Sequence, residues 1–417
     1  MREMKDSGVA WIGEIPEEWV CCKQKYAMKL INGRAYSDSE FEKDGKYKIL
    51  RVGNLFSNPV WYTSNLELPE NKYCSSGDLL YSWSMSYAPV FWYGEKVIYH
   101  YHIWKVNLND KIQKKFAYYY LVALTDALKA EIHETTMGFI TMGVMNNSYI
   151  AIPNIAEQQT IATYLDQKCT QIDALITNQQ KQIERLKAYK QSLITETVTK
   201  GLNPDVPMKD SGVEWIGKIP EGWEIAATKY LFNIETGATP KSDNHSFFDG
   251  EVVWVTPADF KTDDIFVSFG KKNLTIEGLN SCSATLVPKG SLIFSKRAPI
   301  GSVVISSVEL CTNQGCLSCI PYTSNLTKYY YYVMSICTEQ YNLLGSGTTF
   351  KEISASNFMN FSLPLPTISE QQAIVSYLDQ KCTQIDNLIA IKQKKIEKLQ
   401  QYKKSLIYEY VTGKKEI

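Results

Sequence analysis

Side chains that could bind a nucleic acid are concentrated in two segments of the chain, residues 20–150 and 224–363. Arginine can donate two hydrogen bonds to guanine, and asparagine or glutamine can pair similarly with adenine. Taken singly, each would be a solvated loop residue, but their shared location in predicted loops favours a binding surface. The candidates are Arg34, Tyr36, Arg51, Asn54, Trp83, Ser84, His100, His102, Thr239, Lys241, Thr256, Asp259, Lys296, Arg297, Asn313, Gln314, Thr348 and Lys351.

Several candidates occupy corresponding places in the two segments. Arg51 and Asn54 are predicted to lie on one strand, and Lys296 and Arg297 are adjacent to a predicted turn at Pro299–Gly301. The corresponding positions are Gly33 with Gly237, Arg51 with Thr256, Asn54 with Asp259, Trp83 with Lys296, and Ser84 with Arg297.

Metal binding is the main alternative for the histidines and cysteines. His100 and His102 are two residues apart, a spacing that directs both side chains to one face of a strand. No third histidine or cysteine is near them, so a structural or DNA-contact role is favoured. Cys316 and Cys319 form a single C-x-x-C motif. A zinc site usually needs a second such motif, so we expect buried thiols and no metal site.

The sequence contains no recognisable catalytic motif. A Gly-x-Ser-x-Gly elbow, a Walker A loop, a His-Glu-x-x-His motif, an Asn-Pro-Pro-Tyr-type methyltransferase motif and a glycine-rich S-adenosylmethionine loop are all missing. Four histidines leave little capacity for acid–base catalysis. We therefore expect a chain that is not itself an enzyme.

Composition indicates an ordinary globular protein with more than one domain. The 417 residues are 44% hydrophobic and 21% charged, and basic and acidic residues number 44 each. Because the net charge is zero, a nucleic-acid site would need cations gathered locally. The N-terminal residues do not resemble a signal peptide, and no stretch reaches about 18 apolar residues. We expect a cytoplasmic protein with free thiols and no membrane contact.

An internal repeat organises the chain. Residues 4–19 recur at 208–223 with 13 of 16 positions identical, and residues 157–176 recur at 370–389 with 16 of 20 identical. The stretches between these motifs share little. A near-constant frame around divergent inserts favours one scaffold that carries two different recognition segments, over neutral drift of the inserts after duplication.

Each repeated helix start leads into a long heptad pattern. Residues 157–199 contain no Gly or Pro, which predicts a helix of about 65 Å, with Ser369 as the expected N-cap of the second one. Spacings of four and three indicate a coiled-coil seam. We predict antiparallel pairing of the two helices; the alternative is packing of each helix on its own domain. The seam residues are Leu165, Ile172, Ile176, Ile183, Leu186, Leu378, Ile385, Ile389, Ile396 and Leu399.

The inserts are predicted to be mixed α/β. Expected strands are at 47–55, 96–108, 251–257 and 291–306, and expected helices are at 114–132 and 326–344. Each helix leads into a Gly/Thr-rich loop, at 135–143 and 345–354. The predicted fold is α+β, with two mixed α/β recognition domains separated by two long antiparallel helices in a pseudo-twofold repeat. The predicted segments are 1–155, 156–202, 203–368 and 369–417.

The frame motifs SGVEWIGKIPEGW and EQQAIVSYLDQKCTQID, with two variable inserts, resemble the specificity subunit of type I restriction-modification systems. The resemblance covers essentially the whole chain. It implies two target-recognition domains, each contacting one half of a split, asymmetric site in double-stranded DNA. Within them, residues 100–106 and 311–315 resemble corresponding strands of the family.

The resemblance also implies partners. The paired helices would set the spacing of the half-sites and dock two DNA adenine methyltransferase subunits, and restriction/translocase subunits would complete the complex. S-adenosylmethionine, ATP and magnesium would then belong to the partners. Two alternatives stay open: a coiled-coil scaffold with no DNA role, and an orphan remnant of a single-chain restriction enzyme.

Overall fold

The structure is a computed structural model that describes residues 2–84, 86–134, 140–261, 264–297, 299–322, 327–347 and 351–417. The chain divides into two compact units. Unit 1 contains Met1–Gln180 and Gln393–Ile417, and unit 2 contains Lys181–Lys392. Each unit therefore includes a portion of each of the two long helices. The predicted division into four segments stays a prediction.

Unit 1 is built from two four-stranded sheets and two strand pairs. The sheets have the orders β6-β5-β10-β7 and β4-β11-β8-β9, and the pairs are β1-β2 and β12-β3. Strands β5 and β10 are parallel, whereas β11 is antiparallel to both neighbours. The strands are β1 Met4–Asp6, β2 Glu14–Pro16, β3 Val20–Lys23, β4 Met28–Asn32, β5 Tyr47–Leu50, β6 Tyr62–Ser64, β7 Tyr73–Cys74, β8 Leu79–Ser82, β9 Ala88–Phe91, β10 Val97–Tyr99, β11 Ile103–Leu108 and β12 Tyr149–Ile152.

Unit 2 is built from one five-stranded sheet and three strand pairs. Its main sheet has the order β16-β23-β20-β21-β19, and three pairs are β13-β14, β15-β24 and the parallel β18-β22. The strands are β13 Met208–Asp210, β14 Lys218–Pro220, β15 Glu224–Ala227, β16 Phe232–Thr236, β17 Phe248–Val252, β18 Trp254–Val255, β19 Phe266–Val267, β20 Leu292–Ser295, β21 Val303–Ser306, β22 Cys311–Thr312, β23 Cys316–Pro321 and β24 Ser362–Leu365.

Two helices are much longer than the rest. They lack Gly and Pro throughout, and each is followed by a glycine with positive φ, Gly201 at 77° and Gly413 at 72°, a common way to end a helix. Within the described residues, no helix has the length and apolar character needed to cross a bilayer. The helices are α1 Val52–Phe56, α2 Lys114–Glu134, α3 Met142–Asn147, α4 Ile155–Lys200, α5 Thr228–Leu231, α6 Ile276–Asn280, α7 Thr327–Ser335, α8 Thr338–Leu344, α9 Ala355–Met359 and α10 Ile368–Val411; shorter 3₁₀ turns occur at Gln24–Tyr26, Asp38–Glu40, Glu70–Lys72, His245–Phe247 and Pro257–Asp259.

The long helices run antiparallel within each unit. In unit 1, Lys403 Nζ lies 2.7 Å from the Asp173 carboxylate. In unit 2, the corresponding residues Lys190 and Asp386 are also 2.7 Å apart. The helices also pack on the domain beside them, since Leu165 belongs to the same buried cluster as the insert side chains of unit 1. Both arrangements weighed from the sequence therefore occur together, and the predicted α+β class with a repeated unit is confirmed.

The frame motifs anchor each unit to its long helix. Trp19 is buried and its indole Nε1–H donates to Glu157 at the start of α4, at 3.2 Å. Trp223 does the same with Glu370 at the start of α10, at 2.9 Å. The two copies of the motif are thus similar because each ties a strand pair to a helix N-terminus, where a carboxylate is also favourable.

The insert helices are anchored in the same repeated way. The Tyr119 hydroxyl of α2 donates to Asp166 at 2.8 Å, and the Tyr332 hydroxyl of α7 donates to Asp379 at 2.6 Å. Although the inserts diverge, this contact lies at the same place in both units. It holds the apolar face of each insert helix against the long helix.

Several predicted elements are wrong in detail. The strand predicted at 47–55 ends at Leu50, because the Arg51 N–H is bonded to the Asn54 side chain and α1 begins at Val52. The strand at 96–108 is interrupted by a turn at 100–102, where the Ile103 N–H donates to the His100 carbonyl at 2.9 Å.

Two further boundaries differ in the second insert. The strand predicted at 291–306 is two strands, since the turn after Arg297 includes Gly301 with a φ of 96°. The helix predicted at 326–344 is two helices, and i→i−3 bonds at Ile336 and Cys337 tighten the end of the first.

The predicted cap of the second long helix is wrong, and parts of the two predicted loops lie outside the described residues. The cap of α10 is Thr367 and not Ser369, because Thr367 and Glu370 exchange side-chain and backbone hydrogen bonds. Residues 135–139 and 348–350 of the predicted Gly/Thr-rich loops lie outside the described residues.

Candidate nucleic-acid interface

A turn that follows a short parallel strand forms the centre of the candidate surface in unit 1. Gly33 approaches this turn so closely that a Cβ atom would lie 2.3 Å from the carbonyl oxygens of Tyr99 and His100. The Arg34 N–H donates to Tyr99 O, and the Tyr101 N–H donates back to Arg34 O, both at 3.0 Å. The glycine is therefore required by the close approach of two backbones.

Aromatic rings surround the turn. The Trp83 ring lies 5.1 Å from the His102 ring and 6.0 Å from the Tyr101 ring, and its indole N–H donates to Tyr101 O at 2.7 Å. His100 and His102 are 4.7 Å apart between centroids. The predicted shared strand face for these histidines is wrong, but the turn brings their rings together. Ser84 is half-buried beside Trp83, and its carbonyl accepts a hydrogen bond from Ser86 N–H.

Burial disfavours the charged form of both histidines in this cluster. Burial lowers the pKa of His100 to about 4, and the nearby His102 and Arg51 add to the shift. Burial likewise lowers the pKa of His102. A neutral imidazole has one donor and one acceptor nitrogen. His100 Nδ1 accepts from the His102 N–H at 3.4 Å, which leaves the Nε2–H of His100 as a donor for a base edge.

Two arginines flank the turn in different ways. Arg34 donates to Glu40 at 2.5 Å and stacks over Tyr36 at 5.3 Å, and its hydrogen bond lowers the pKa of the Glu40 carboxyl. Arg51 is exposed and lies 5.1 Å from the Tyr62 ring. Both guanidinium groups are pre-oriented by aromatic faces.

Asn54 has a structural role and not the strand position that we predicted. Its Oδ1 accepts from the Arg51 N–H at 3.1 Å, and its amide donates to Asn58 O at 3.0 Å and Val60 O at 2.8 Å. The side chain caps α1 and closes the following loop. Because its donors and acceptor are occupied, Asn54 supports Arg51 in place.

The same backbone scheme occurs in unit 2. A Cβ atom on Gly237 would lie 2.2 Å from Asn313 O, and the Ala238 N–H donates to Thr312 O at 2.9 Å. The Cys316 N–H donates to Asn313 O at 3.0 Å, just as Ile103 donates to His100 O. These bonds align the turns residue by residue. The equivalent pairs are Arg34 with Ala238, Tyr99 with Thr312, His100 with Asn313, Tyr101 with Gln314, His102 with Gly315, and Trp83 with Lys296.

Amides replace the aromatic rings at the unit 2 turn. The exposed Gln314 side chain accepts a hydrogen bond from the Thr239 hydroxyl. Asn313 Oδ1 accepts from the Gly315 N–H at 2.9 Å, which closes the turn. Gln314 is therefore the amide that points to solvent, whereas Asn313 is partly engaged.

Thr256 and Asp259 form a 3₁₀ turn instead of the predicted strand. Asp259 accepts from the Thr256 N–H at 2.8 Å and from the Lys271 N–H at 3.1 Å. This is the acidic equivalent of the Arg51–Asn54 cap. Asp259 therefore holds the loop and leaves few acceptor sites for a ligand.

A second group of charged side chains lies beside the unit 2 turn. Lys296 Nζ is 2.8 Å from Glu352, and Arg297 is 3.7 Å from the same carboxylate. Lys241 and Lys351 are exposed in neighbouring loops. Thr348 lies outside the described residues.

The two cysteines of the C-x-x-C motif and the neighbouring Cys311 are buried thiols. Cys311, Cys316 and Cys319 are fully buried, and burial raises the pKa of the Cys311 thiol to about 12. No group of three or more histidine, cysteine or acidic side chains that could hold a metal ion occurs in the part of the chain that the structure describes.

The predicted seam residues lie in the interior of the helix pair. Leu165, Ile172 and Ile183 are buried, as are Leu378, Ile385 and Ile396, and the other four are half-buried. Gln179, a polar residue at the heptad position between Ile176 and Ile183, is buried too.

Sequence reasoning missed several contributors to the two turns. Tyr101 is an exposed ring between two histidines, and its aromatic neighbours in the sequence were an available signal. Glu40 and Glu352 orient arginines, but Glu352 is more than fifty residues from Arg297. Only the fold brings that carboxylate to the turn.

Comparison with known proteins shows the family. Residues 16–185 and again 220–401 match the model of a type I restriction modification DNA specificity domain, so the chain belongs to this family. It is 27% identical to a putative type I restriction enzyme MjaX specificity subunit of Methanocaldococcus jannaschii over 429 residues, which covers 97% of this chain and 95% of that protein. It is 34% identical to the MjaIX specificity subunit of the same organism over 188 residues, and that alignment covers 44% of this chain and 43% of the relative.

Solved structures share the fold. One solved chain comes from a study of the complex assembly and conformational transition of the type I R-M system. It aligns with this chain with a TM-score of 0.73 at 16% identity, and the alignment covers 95% of this chain and 98% of that one. The HsdS subunit from Thermoanaerobacter tengcongensis has a TM-score of 0.51 at 16% identity, covering 96% and 98%.

Proposed function

We propose that this chain is the DNA specificity subunit of a type I restriction-modification complex, in which each unit binds one half of a split, asymmetric site. One observation carries the proposal: the turns at Gly33 and Gly237 share most of their backbone hydrogen bonds but carry different outward side chains. A repeated scaffold with unlike recognition side chains is suited to contacting two different base sequences.

The chemistry at each turn fits the major-groove edges of bases. Unit 1 offers arginines, neutral imidazoles and aromatic rings, and unit 2 offers an exposed amide beside two cations. Such groups can form bidentate hydrogen bonds with guanine or adenine and apolar contacts with thymine methyl groups. Because the whole chain has no net charge, we expect partner subunits to supply part of the phosphate contacts.

The long helices carry a repeated apolar feature that suits two copies of one partner. Leu175 and Tyr402 are exposed on the helices of unit 1, and their counterparts Leu388 and Tyr189 are exposed in unit 2. The antiparallel register places Leu175 level with Tyr402. We propose that each such pair contributes to docking one DNA adenine methyltransferase subunit, with restriction/translocase subunits completing the complex.

In this proposal the chain is not a catalyst. S-adenosylmethionine, ATP and magnesium would be bound by the methyltransferase and translocase partners. The specificity subunit would select where those partners act.

Co-expression with the neighbouring methyltransferase, followed by genome-wide mapping of methylated adenines, tests the proposal. We expect a split motif with a fixed spacer. Exchange of residues 224–363 for another insert should change one half of that motif only. A motif that changed in both halves would contradict the assignment of one unit to each half-site.

Docking is tested separately with Leu175→Asp and Leu388→Asp, using Lys181→Asp as a control at an exposed helix position. Each leucine variant should lose one methyltransferase copy in size-exclusion chromatography with light scattering, and the control should lose none.

A coiled-coil scaffold without a DNA role would instead show no salt-dependent binding to DNA even in the complete complex.

A further inference from the structure

Arg297 lies directly against the recognition turn of unit 2. A Cβ atom built on Gly315 would be 3.3 Å from Arg297 Nε and 3.1 Å from Pro257 Cγ. The guanidinium therefore covers the glycine of the turn that also carries Asn313 and the exposed Gln314. Its side chain is 36% exposed, so part of it faces solvent.

A carboxylate from a distant segment lies within ion-pair distance of this arginine. Glu352 lies 3.7 Å from Arg297 Nη1 and 2.8 Å from Lys296 Nζ. The backbone reinforces the arrangement, because the Lys296 N–H donates to Gly315 O at 2.9 Å and the Ile353 N–H donates to Lys296 O at 3.0 Å. Two cations share one carboxylate, so the cluster keeps a net positive charge.

Unit 1 shows what the glycine makes possible. At the position of Gly315 it has His102, whose ring packs 5.1 Å from Trp83, the equivalent of Lys296. In unit 2 a side chain at this position would meet Arg297, because a Cβ atom on Gly315 would already lie 3.3 Å from Arg297 Nε. The residue after Trp83 is Ser84, which carries no charge.

We propose that Arg297 recognises a guanine in the half-site bound by unit 2, with Glu352 as its positioning residue. The inference rests on the proposed function and makes it specific. A guanidinium held by a carboxylate can direct two parallel N–H donors to O6 and N7 of guanine. The ion pair with Glu352 restricts the arginine before binding and so lowers the side-chain entropy lost on binding. Gly315 is the residue whose small size admits this geometry.

The test uses the complete methyltransferase complex and DNA duplexes containing its mapped motif. The half-site that belongs to unit 2 is first identified by exchange of residues 224–363. Each guanine in that half-site is then replaced in turn by 7-deazaguanine, which lacks the N7 acceptor. We expect one replacement to weaken binding by roughly 10- to 100-fold.

Variants connect that position to the arginine. Arg297→Ala should weaken binding to the natural site and should no longer distinguish guanine from 7-deazaguanine at that position. Glu352→Gln should keep the preference for guanine but reduce its size. Arg51→Ala is the matched control, because it should leave discrimination in the unit 2 half-site unchanged.

Two results would overturn the inference while leaving the proposed function intact. One is a unit 2 half-site in which no guanine responds to 7-deazaguanine, a result read on the wild-type complex. The other is an Arg297→Ala protein that binds all sequences more weakly by the same factor, as expected for a phosphate contact. Failure of the proposed function is distinct, since the wild-type complex would then show no split methylation motif.

Discussion

The turn of unit 1 and the turn of unit 2 share their backbone and differ in nearly every outward side chain. His100, Tyr101 and His102 in one unit correspond to Asn313, Gln314 and Gly315 in the other. The shared part consists of N–H to carbonyl bonds and a close glycine, which do not depend on neighbouring side chains. A recognition surface can therefore change without altering the scaffold that presents it.

The largest effect should come from the shared frame, and it should be similar in both units. Trp19→Ala and Trp223→Ala each remove a buried indole that donates to a helix-start glutamate. We expect a loss of about 3–5 kcal/mol in the free energy of unfolding of the unit concerned. Hydrogen exchange resolved by unit would measure it.

Tyr26→Ala and Tyr230→Ala serve as controls, because both rings are exposed. Each should change stability by less than about 0.5 kcal/mol. If replacement of the tryptophan destabilised one unit and not the other, the two frames would not be equivalent.

The next largest effect should come from substitution of the glycines at the two turns. Gly33→Ala and Gly237→Ala place a Cβ atom within 2.3 Å of backbone oxygen, so the turn must move. We expect about 1–3 kcal/mol of destabilisation, together with loss of specificity in the corresponding half-site only. Methylation mapping and urea unfolding would show both effects.

Gly143→Ala in unit 1 and Gly222→Ala in unit 2 are matched controls. A Cβ atom on Gly222 has no neighbour within 4 Å, and one on Gly143 is 3.7 Å from Thr141 Oγ1. Equal effects from the turn and control glycines would show that the close approach is unimportant.

A smaller effect, on the pH dependence of stability, should distinguish the turn of unit 1 from that of unit 2. The pKa of His100 is lowered to about 4, below the ordinary value of 6.5. Between these values the unfolded chain binds a proton that the folded chain does not, so the stability of unit 1 should fall as pH drops from 6.5 to 4. NMR titration of the His100 ring would give its pKa directly.

His100→Asn, which copies the residue of unit 2, should reduce this acid sensitivity. The His102 contribution should remain, because burial lowers its pKa too. A His100 ring that titrated near 6.5 would contradict the burial shown by the structure.

The smallest effect should come from the helix ion pairs. Lys403→Ala and Lys190→Ala each remove one pair with an aspartate at 2.7 Å, and both lysines are about one-third exposed. Exposed pairs of this kind contribute about 0.2–1 kcal/mol, less at high salt. Urea unfolding at low and high salt should show equal, small losses in the two units; a loss confined to one unit would distinguish the two ends of the helix pair.

Much of the fold could be predicted because it is local or repeated. The long helices follow from heptad spacing without Gly or Pro, and the equivalence of the inserts follows from matched positions such as Gly33 and Gly237. Two of the errors fall where side chains compete with strand hydrogen bonds. Asn54 and Asp259 bond to nearby N–H groups, and that ends a strand that the apolar pattern alone would continue.

The sequence by itself determined the two-copy organisation, the helical frame and which residues can form hydrogen bonds with bases. These properties depend on periodicity and residue type, which are visible along the chain. Only the tertiary structure decided which candidates are available. It uses Asn54 and Asp259 as caps, and it brings Glu352 to Arg297. The physical reason is that a polar side chain can satisfy either the fold or a ligand, and long-range contacts decide between them.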